Sequence, residues 1–230
     1  MHKFLKYFSI IMFFPSVMFS GNATAQIPSS IFLLYDNSYD YHISGFTGFD
    51  PSIIVGFSGG FKFRTPFNPV ILSGSVTSPV FLLKEMDHLG FSIEGQTLLL
   101  KSKWNIKLAT GLRSKFFSNI SDGNTFSLNA GLMAGHFTNR WYAGFDIIYR
   151  NNLTTYLKHN KPYSSEHPEV ENGWYSNLSG YFYFSAVAGL KLTDRLETSI
   201  KISYKIPHTF QLYDPFTIPW AFTLTVSALF

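Results

Sequence analysis

The sequence predicts an all-β fold, a transmembrane antiparallel up-and-down β-barrel of about ten strands. Three observations favour it. Apolar and polar residues alternate over long segments, which is the two-residue period of a β-strand. Apolar residues make up 46% of the chain and aromatic residues 18%, yet no segment after the N-terminus offers the ~18 continuous apolar residues of a membrane helix. Short and long connections also alternate, as in barrels built from membrane-crossing hairpins. An eight-stranded barrel after an N-terminal extension is the alternative.

The N-terminal segment predicts export. Lys3 and Lys6 precede an apolar run at residues 7–19, which is shorter than the ~20 residues that a membrane helix needs. The sequence Ala-Thr-Ala at 23–25 matches the small-residue pattern of signal-peptide cleavage sites. We therefore expect cleavage before Gln26.

This cleavage divides the chain into a signal peptide at 1–25 and a barrel domain at 26–230. The leader removes two of the 18 basic residues and none of the 14 acids, so 16 bases and 14 acids remain. This near balance gives no indication of nucleic-acid binding. The absence of cysteine excludes disulfides and cysteine-ligated metal sites. No nucleotide-binding fingerprint or metal-ligand spacing is present, so we expect no cofactor.

The clearest strand is Trp220–Phe230. Its apolar face carries Trp220, Phe222, Leu224 and Phe230, while the other face is small or polar. A strand of this kind that finishes on an aromatic residue resembles the last strand of bacterial outer-membrane β-barrels, of the small OmpA, OmpW or porin-like type. The abundance of Phe, Tyr and Asn is typical of a Bacteroidetes protein.

The resemblance implies a location in the cell outer membrane, in contact with membrane lipid and lipopolysaccharide. It implies that the barrel-assembly machinery recognises the C-terminal strand through Phe230. It also implies that both ends of the mature chain lie in the periplasm.

Nine strands follow from the alternation. They are predicted at 53–64, 70–76, 89–99, 103–117, 125–137, 140–158, 173–193, 195–206 and 220–230. Because the last strand descends to the periplasm, one ascending strand must come before the first of these. Ser30–Asp36 is predicted to supply it, with Asn37–Asp50 as the first external loop, which makes the strand count even. Long connections are predicted at 80–88, 118–124, 159–172 and 207–216.

Strand parity also predicts which charged residues face the lumen. Eleven basic residues and three acids share the inward parity. The lumen-facing residues are Lys62, Arg64, Lys103, Lys107, Arg113, Lys115, Arg150, Lys191, Arg195, Lys201 and Lys205, with Glu94, Asp146 and Glu197. Lys191 and Glu197 are expected to face each other across one turn. The set indicates either an anion-attracting lumen, or a site for anionic lipid head groups, or a packed polar core. The packed core is favoured because barrels near eight strands are filled by side chains.

The predicted function is that of a non-enzymatic outer-membrane component for transport, anchoring or interaction. A narrow anion-selective channel is one alternative. A hydrolase at the barrel rim, acting on lipid A or on peptides, is another. Its candidate residues lie in polar loops and form no recognisable motif, so no catalytic residue is assigned. The candidates are Asp87, His88, His159, Ser164, Glu166, His167, His208 and Asp214. The loop 159–172, with three glutamates and two prolines, is predicted to be external and to contact any protein partner.

Overall fold

A computed structural model describes residues 31–35, 38–50, 53–80, 89–102, 104–117, 121–159, 165, 171–176, 180–207 and 219–230. Within these ranges lie one helix of several residues and eleven strands. The elements are α1 (Ile31–Tyr35), β1 (Tyr41–Phe49), β2 (Ile53–Phe63), β3 (Val70–Pro79), β4 (Gly90–Leu100), β5 (Asn105–Phe117), β6 (Ser121–Phe137), β7 (Trp141–His159), β8 (Gly173–Ser176), β9 (Gly180–Lys191), β10 (Leu196–Pro207) and β11 (Trp220–Leu229). None of the described helical segments has the length and apolarity to cross a membrane.

Ten of the strands form a closed antiparallel barrel, as predicted. Each pairs with its neighbours in chain order, β9 pairs with β7, and β1 closes the ring against β11. β8 stands outside this ring and pairs only with Thr154–Leu157 at the far end of β7. Closure leaves no open edge in the ring, which a strand inside a membrane requires.

The first strand is not the one that the sequence predicted. Within Ser30–Asp36 the described residues form α1, and β1 occupies most of the predicted loop Asn37–Asp50. The run Ile-Phe-Leu-Leu-Tyr offers no polar face to alternate, and a helix buried on all sides accommodates it better than a strand. In β1 the alternation is obscured because Phe46 points inward and Gly45 and Thr47 point outward.

Two further boundaries differ from prediction. The segment 173–193 contains two strands, β8 and β9, rather than one. The predicted loop 118–124 is shorter, because β6 already begins at Ser121. β6 and β7 are therefore 17 and 19 residues long, against the ~9–11 that cross a bilayer. The ends of β6 and β7 opposite their turn at 138–140 therefore extend beyond the length that a bilayer requires, and β8 pairs with this extended part of β7.

The outside of the barrel is apolar and aromatic. Outward positions of the strands carry exposed side chains such as Ile43, Phe57, Ile93 and Phe145, each between 60% and 73% exposed. All four tryptophans are also exposed, as expected of residues that meet lipid or its interface. Inward positions are buried and mostly polar. This inverted pattern, polar inside and apolar outside, is that of a transmembrane barrel of the outer-membrane type.

Candidate functional site in the lumen

The two ends of the barrel differ. Short connections at 64–69, 101–104, 138–140 and 192–195 lie at one end, together with the start of β1 and the end of β11; we call this the short-turn end. The opposite end, which we call the loop end, is where strands are joined by the short connections at 50–52 and 118–120 and by the long ones at 80–89, 160–179 (which includes β8) and 208–219.

Helix α1 fills the lumen at the short-turn end. Its residues Ile31 to Leu34 are at most 1% exposed. The ring of Phe32 meets the ring of Tyr142 edge-on, with centroids 5.3 Å apart. Lys62 Nζ donates a hydrogen bond to the carbonyl oxygen of Leu33 at 3.2 Å. The wall residues that pack in the same apolar cluster all point inward near the short turns. They are Ile71, Leu98, Met133, Phe137, Tyr142 and Leu229.

A layer of paired charges lies above α1, and we call it the central layer. It consists of Glu94, Gln96, Lys107, Asp146 and Lys201. Gln96 Nε2 donates to Glu94 Oε1 at 2.6 Å, and Lys107 Nζ donates to Gln96 Oε1 at 3.4 Å. Lys201 is bonded directly to Asp146. Two cations thus face two carboxylates. Glu94, Lys107, Asp146 and Lys201 line a cavity of about 30 Å³ that also reaches Arg150. A cavity of this size holds a water molecule but not a larger solute.

A second layer of charges lies nearer the loop end, and we call it the cationic layer. It contains Arg113, Lys115, Arg150 and Lys205, whose exposed fractions are only 3–7%. Asp50, at the end of β1, is the carboxylate that interacts with Arg113 and Lys115. The strands position the four cations because every second residue of β5, β7 and β10 faces the lumen, and each of these cations occupies such a position.

Neutral groups orient two of these cations. Arg150 Nε donates to Asn129 Oδ1 at 2.8 Å, and its Nη1 donates to the Tyr183 hydroxyl at 3.2 Å. The guanidinium also lies 5.0 Å from the centre of the Tyr183 ring. Lys205 Nζ lies 4.5 Å from the centre of the Tyr181 ring. Hydrogen bonds and cation–π contacts of this kind fix a charge in place without neutralising it.

The register places Lys191 opposite Glu197, as predicted. Glu197 is 3% exposed, and Lys191 Nζ lies 5.2 Å from the centre of the Tyr39 ring, beside α1. This pair therefore belongs to the short-turn end and is separate from both charged layers.

Two of the residues expected in the lumen lie outside it. Arg64 is 62% exposed and makes a 2.9 Å ion pair with Asp40, and Arg195 is exposed in its turn. The reason is that β2 ends at Phe63 and β10 begins at Leu196, so strand parity no longer governs these side chains. Lys103 lies outside the described residues.

Sequence reasoning missed α1 and Asp50. The unbroken apolar run of α1 was the available signal, since a half-buried strand would alternate. Of the loop residues considered for a hydrolase, the structure describes His159, whose backbone N–H donates to Asn172 Oδ1 at 2.6 Å. The others lie outside the described residues, as does the predicted signal peptide. In the described part of the chain, no three His, Asp or Glu side chains gather as metal ligands.

Comparisons with solved structures return other β-barrels. The KdgM porin is 10% identical, with a TM-score of 0.37, and 82% of this chain covers 99% of that one. Its complex with disordered oligogalacturonate gives the same figures. Omp33, an outer-membrane protein of Acinetobacter baumannii, is 6% identical, with a TM-score of 0.39 and coverages of 84% and 98%. No protein-family model matches the chain, and no curated protein sequence does.

Proposed function

We propose that the mature chain is a non-enzymatic transport component of the outer membrane whose lumen is closed in the resting state. Two features at different depths support a closed lumen: α1, which occupies the lumen at the short-turn end, and the central layer above it. α1 is apolar and packs in a buried apolar cluster with wall residues of the barrel. The cavity beside the central layer has a volume of only about 30 Å³. A permanently open diffusion pore would need a wider ring of strands.

The contributions of α1 and of the central layer to closure can be tested separately by measuring the conductance of two variants in planar lipid bilayers. Deleting residues 31–35 removes α1, and Asp146→Ala combined with Lys201→Ala removes the direct ion pair of the central layer. We expect no steady conductance from the wild type or from either variant alone, and steady channels from the combined variant. Phe67→Ala is the matched control, because Phe67 is 92% exposed in a short turn.

Each protein is first checked for the heat-modifiable gel mobility of a folded barrel. Steady channels from the wild type would contradict the closed resting state. An impermeable combined variant that is fully folded would show that the lumen is closed by something other than these two features.

A narrow anion-selective channel is a second candidate, and the four buried cations of the cationic layer favour it. A lumen lined by cations attracts anions and repels other cations. Reversal potentials of the combined variant in a potassium chloride gradient test it. Chloride preference supports the anion channel, and potassium preference rejects it.

We further propose that residues 1–25 direct export and are removed, and that the barrel-assembly machinery recognises β11 through Phe230. Phe230 is 56% exposed. Its backbone N–H donates a hydrogen bond to the carbonyl oxygen of Tyr41, and its carbonyl oxygen accepts one from the Tyr41 N–H. Phe230→Ala keeps these backbone bonds, so it is expected to lower the amount in the outer membrane without lowering folded stability. Intact-mass measurement of the membrane form tests cleavage before Gln26.

The loop 159–172 is proposed to be external and to contact a partner protein, while lipopolysaccharide surrounds the barrel. In support, the loop follows the extended end of β7 and precedes β8, where Trp174 is 61% exposed. An epitope tag at Ser164-Ser165 is expected to bind antibody on intact cells. Labelling only after the outer membrane is broken would reverse the topology.

A further inference from the structure

The cationic layer places four positively charged side chains together in the buried part of the lumen. Asp50 is a carboxylate that interacts electrostatically with both Arg113 and Lys115. Buried charges are costly unless they are paired or bonded. The central layer of the same barrel, in comparison, holds two cations against two carboxylates.

Lys115 is the member of the cationic layer whose charged group lacks hydrogen-bond acceptors. Its side chain is 7% exposed, and its Nζ is buried without a hydrogen bond to any described residue. An ammonium group carries three donors, so all three lack an acceptor there. Arg113, Lys205 and Arg150 all interact with it electrostatically and all are positive. Lys115 shares the inward parity of Arg113, so its ammonium group points into the lumen.

We propose that the cationic layer is a binding site for one small soluble oxyanion of the phosphate, sulfate or carboxylate class. Lys115 is its central donor, with Arg113 and Lys205 beside it. An oxyanion brings several acceptor oxygens and negative charge to a place that has buried cations and, at Lys115 Nζ, donors without acceptors. Guanidinium and ammonium groups form short, strong hydrogen bonds with such oxygens. Because the layer lies inside the lumen, its ligand is a dissolved anion, whereas lipid meets the outer wall.

Inorganic phosphate is the probe for the first experiment. The mature protein, refolded in a neutral maltoside detergent, is titrated with sodium phosphate against sodium chloride at equal ionic strength. We expect one-site binding by calorimetry and an unfolding temperature that rises with phosphate. Lys115→Met is expected to lower the affinity about tenfold or more, the loss of one charge-assisted hydrogen bond. Lys158→Met is the control, because Lys158 is exposed at the far end of β7 and should leave binding unchanged.

In phosphate-free buffer, Lys115→Met is expected to unfold at the same temperature as the wild type or higher, because an unpaired buried charge is gone. Should this variant not refold, Lys205→Met replaces it and is expected to bind phosphate more weakly. The site is overturned if the wild type shows no phosphate-dependent shift, or if the folded variant shows the same shift as the wild type. Stabilisation by purified lipopolysaccharide but not by inorganic phosphate would overturn the assignment to a soluble ligand.

Discussion

The central layer and the cationic layer lie in the same lumen and are both largely buried, yet their charges are arranged differently. In the central layer, Lys201 forms an ion pair with Asp146. Gln96 connects the other two charged residues of the layer by hydrogen bonds, Glu94 and Lys107. In the cationic layer, Arg150 and Lys205 rest on uncharged partners, and Lys115 Nζ has none among the described residues. The comparison teaches that equally buried charges can differ in their hydrogen bonding, and this difference is the basis on which we propose a packed core for one layer and a binding site for the other.

The largest expected difference concerns removal of one charge from each layer. Asp146→Ala leaves Lys201 without its ion-pair partner and is expected to reduce the free energy of unfolding by about 3–5 kcal/mol. Lys115→Met removes an unpaired charge and is expected to leave that free energy unchanged or to increase it. Equilibrium urea unfolding of both variants in phospholipid vesicles measures this. Equal losses of unfolding free energy in the two variants would contradict the difference that we infer between the two layers.

A smaller effect is expected at Gln96, which is 2% exposed and connects Glu94 with Lys107. Gln96→Ala removes both hydrogen bonds and leaves a buried carboxylate less well solvated, so we expect a loss of about 1–3 kcal/mol. Ser75→Ala is the control, since it breaks one neutral hydrogen bond to Ser92 at 2.6 Å and should cost about 1 kcal/mol. If Gln96→Ala costs no more than this control, Gln96 does not unite the central layer.

The smallest effect is expected at the ion pair outside the lumen. Arg64 and Asp40 are 62% and 39% exposed, so Arg64→Ala should cost only about 0.2–1 kcal/mol. That cost should vanish in 1 M salt, because salt screens exposed charges and leaves buried ones nearly unaffected. The Asp146→Ala cost should persist in the same salt. A salt-sensitive effect at Asp146 would place that pair in contact with bulk water.

The sequence was sufficient for the parts of the fold that one local rule governs. Strand alternation predicted the ring strands β2 to β7 and β9 to β11. It also predicted the inward side of Lys107, Arg113 and Asp146, and the pairing of Lys191 with Glu197. Each of these depends on a period of two residues and on a tight turn, and both are visible in the sequence.

What the sequence could not predict depends on contacts between distant segments. The run at 31–35 becomes a helix because inward apolar residues from five strands form a cluster that receives it. Arg64 and Arg195 leave the lumen because the strands end one residue away from them. The division of the inward charges into the central layer and the cationic layer depends on strand stagger around the ring. Parity alone does not contain that information.

The closed lumen is tested most directly at Met133, which is 2% exposed, packs in the α1 cluster and also lines the space of the central layer. The chain has no cysteine, so Met133→Cys introduces a single thiol between the two closures. The measurement is its rate of labelling by a membrane-impermeant maleimide, beside Ser102→Cys in an exposed turn as the reactive control. We expect the thiol at 133 to be protected in the full barrel and to react once residues 31–35 are deleted. Labelling at 133 as fast as at 102 in the full barrel would contradict a closed lumen.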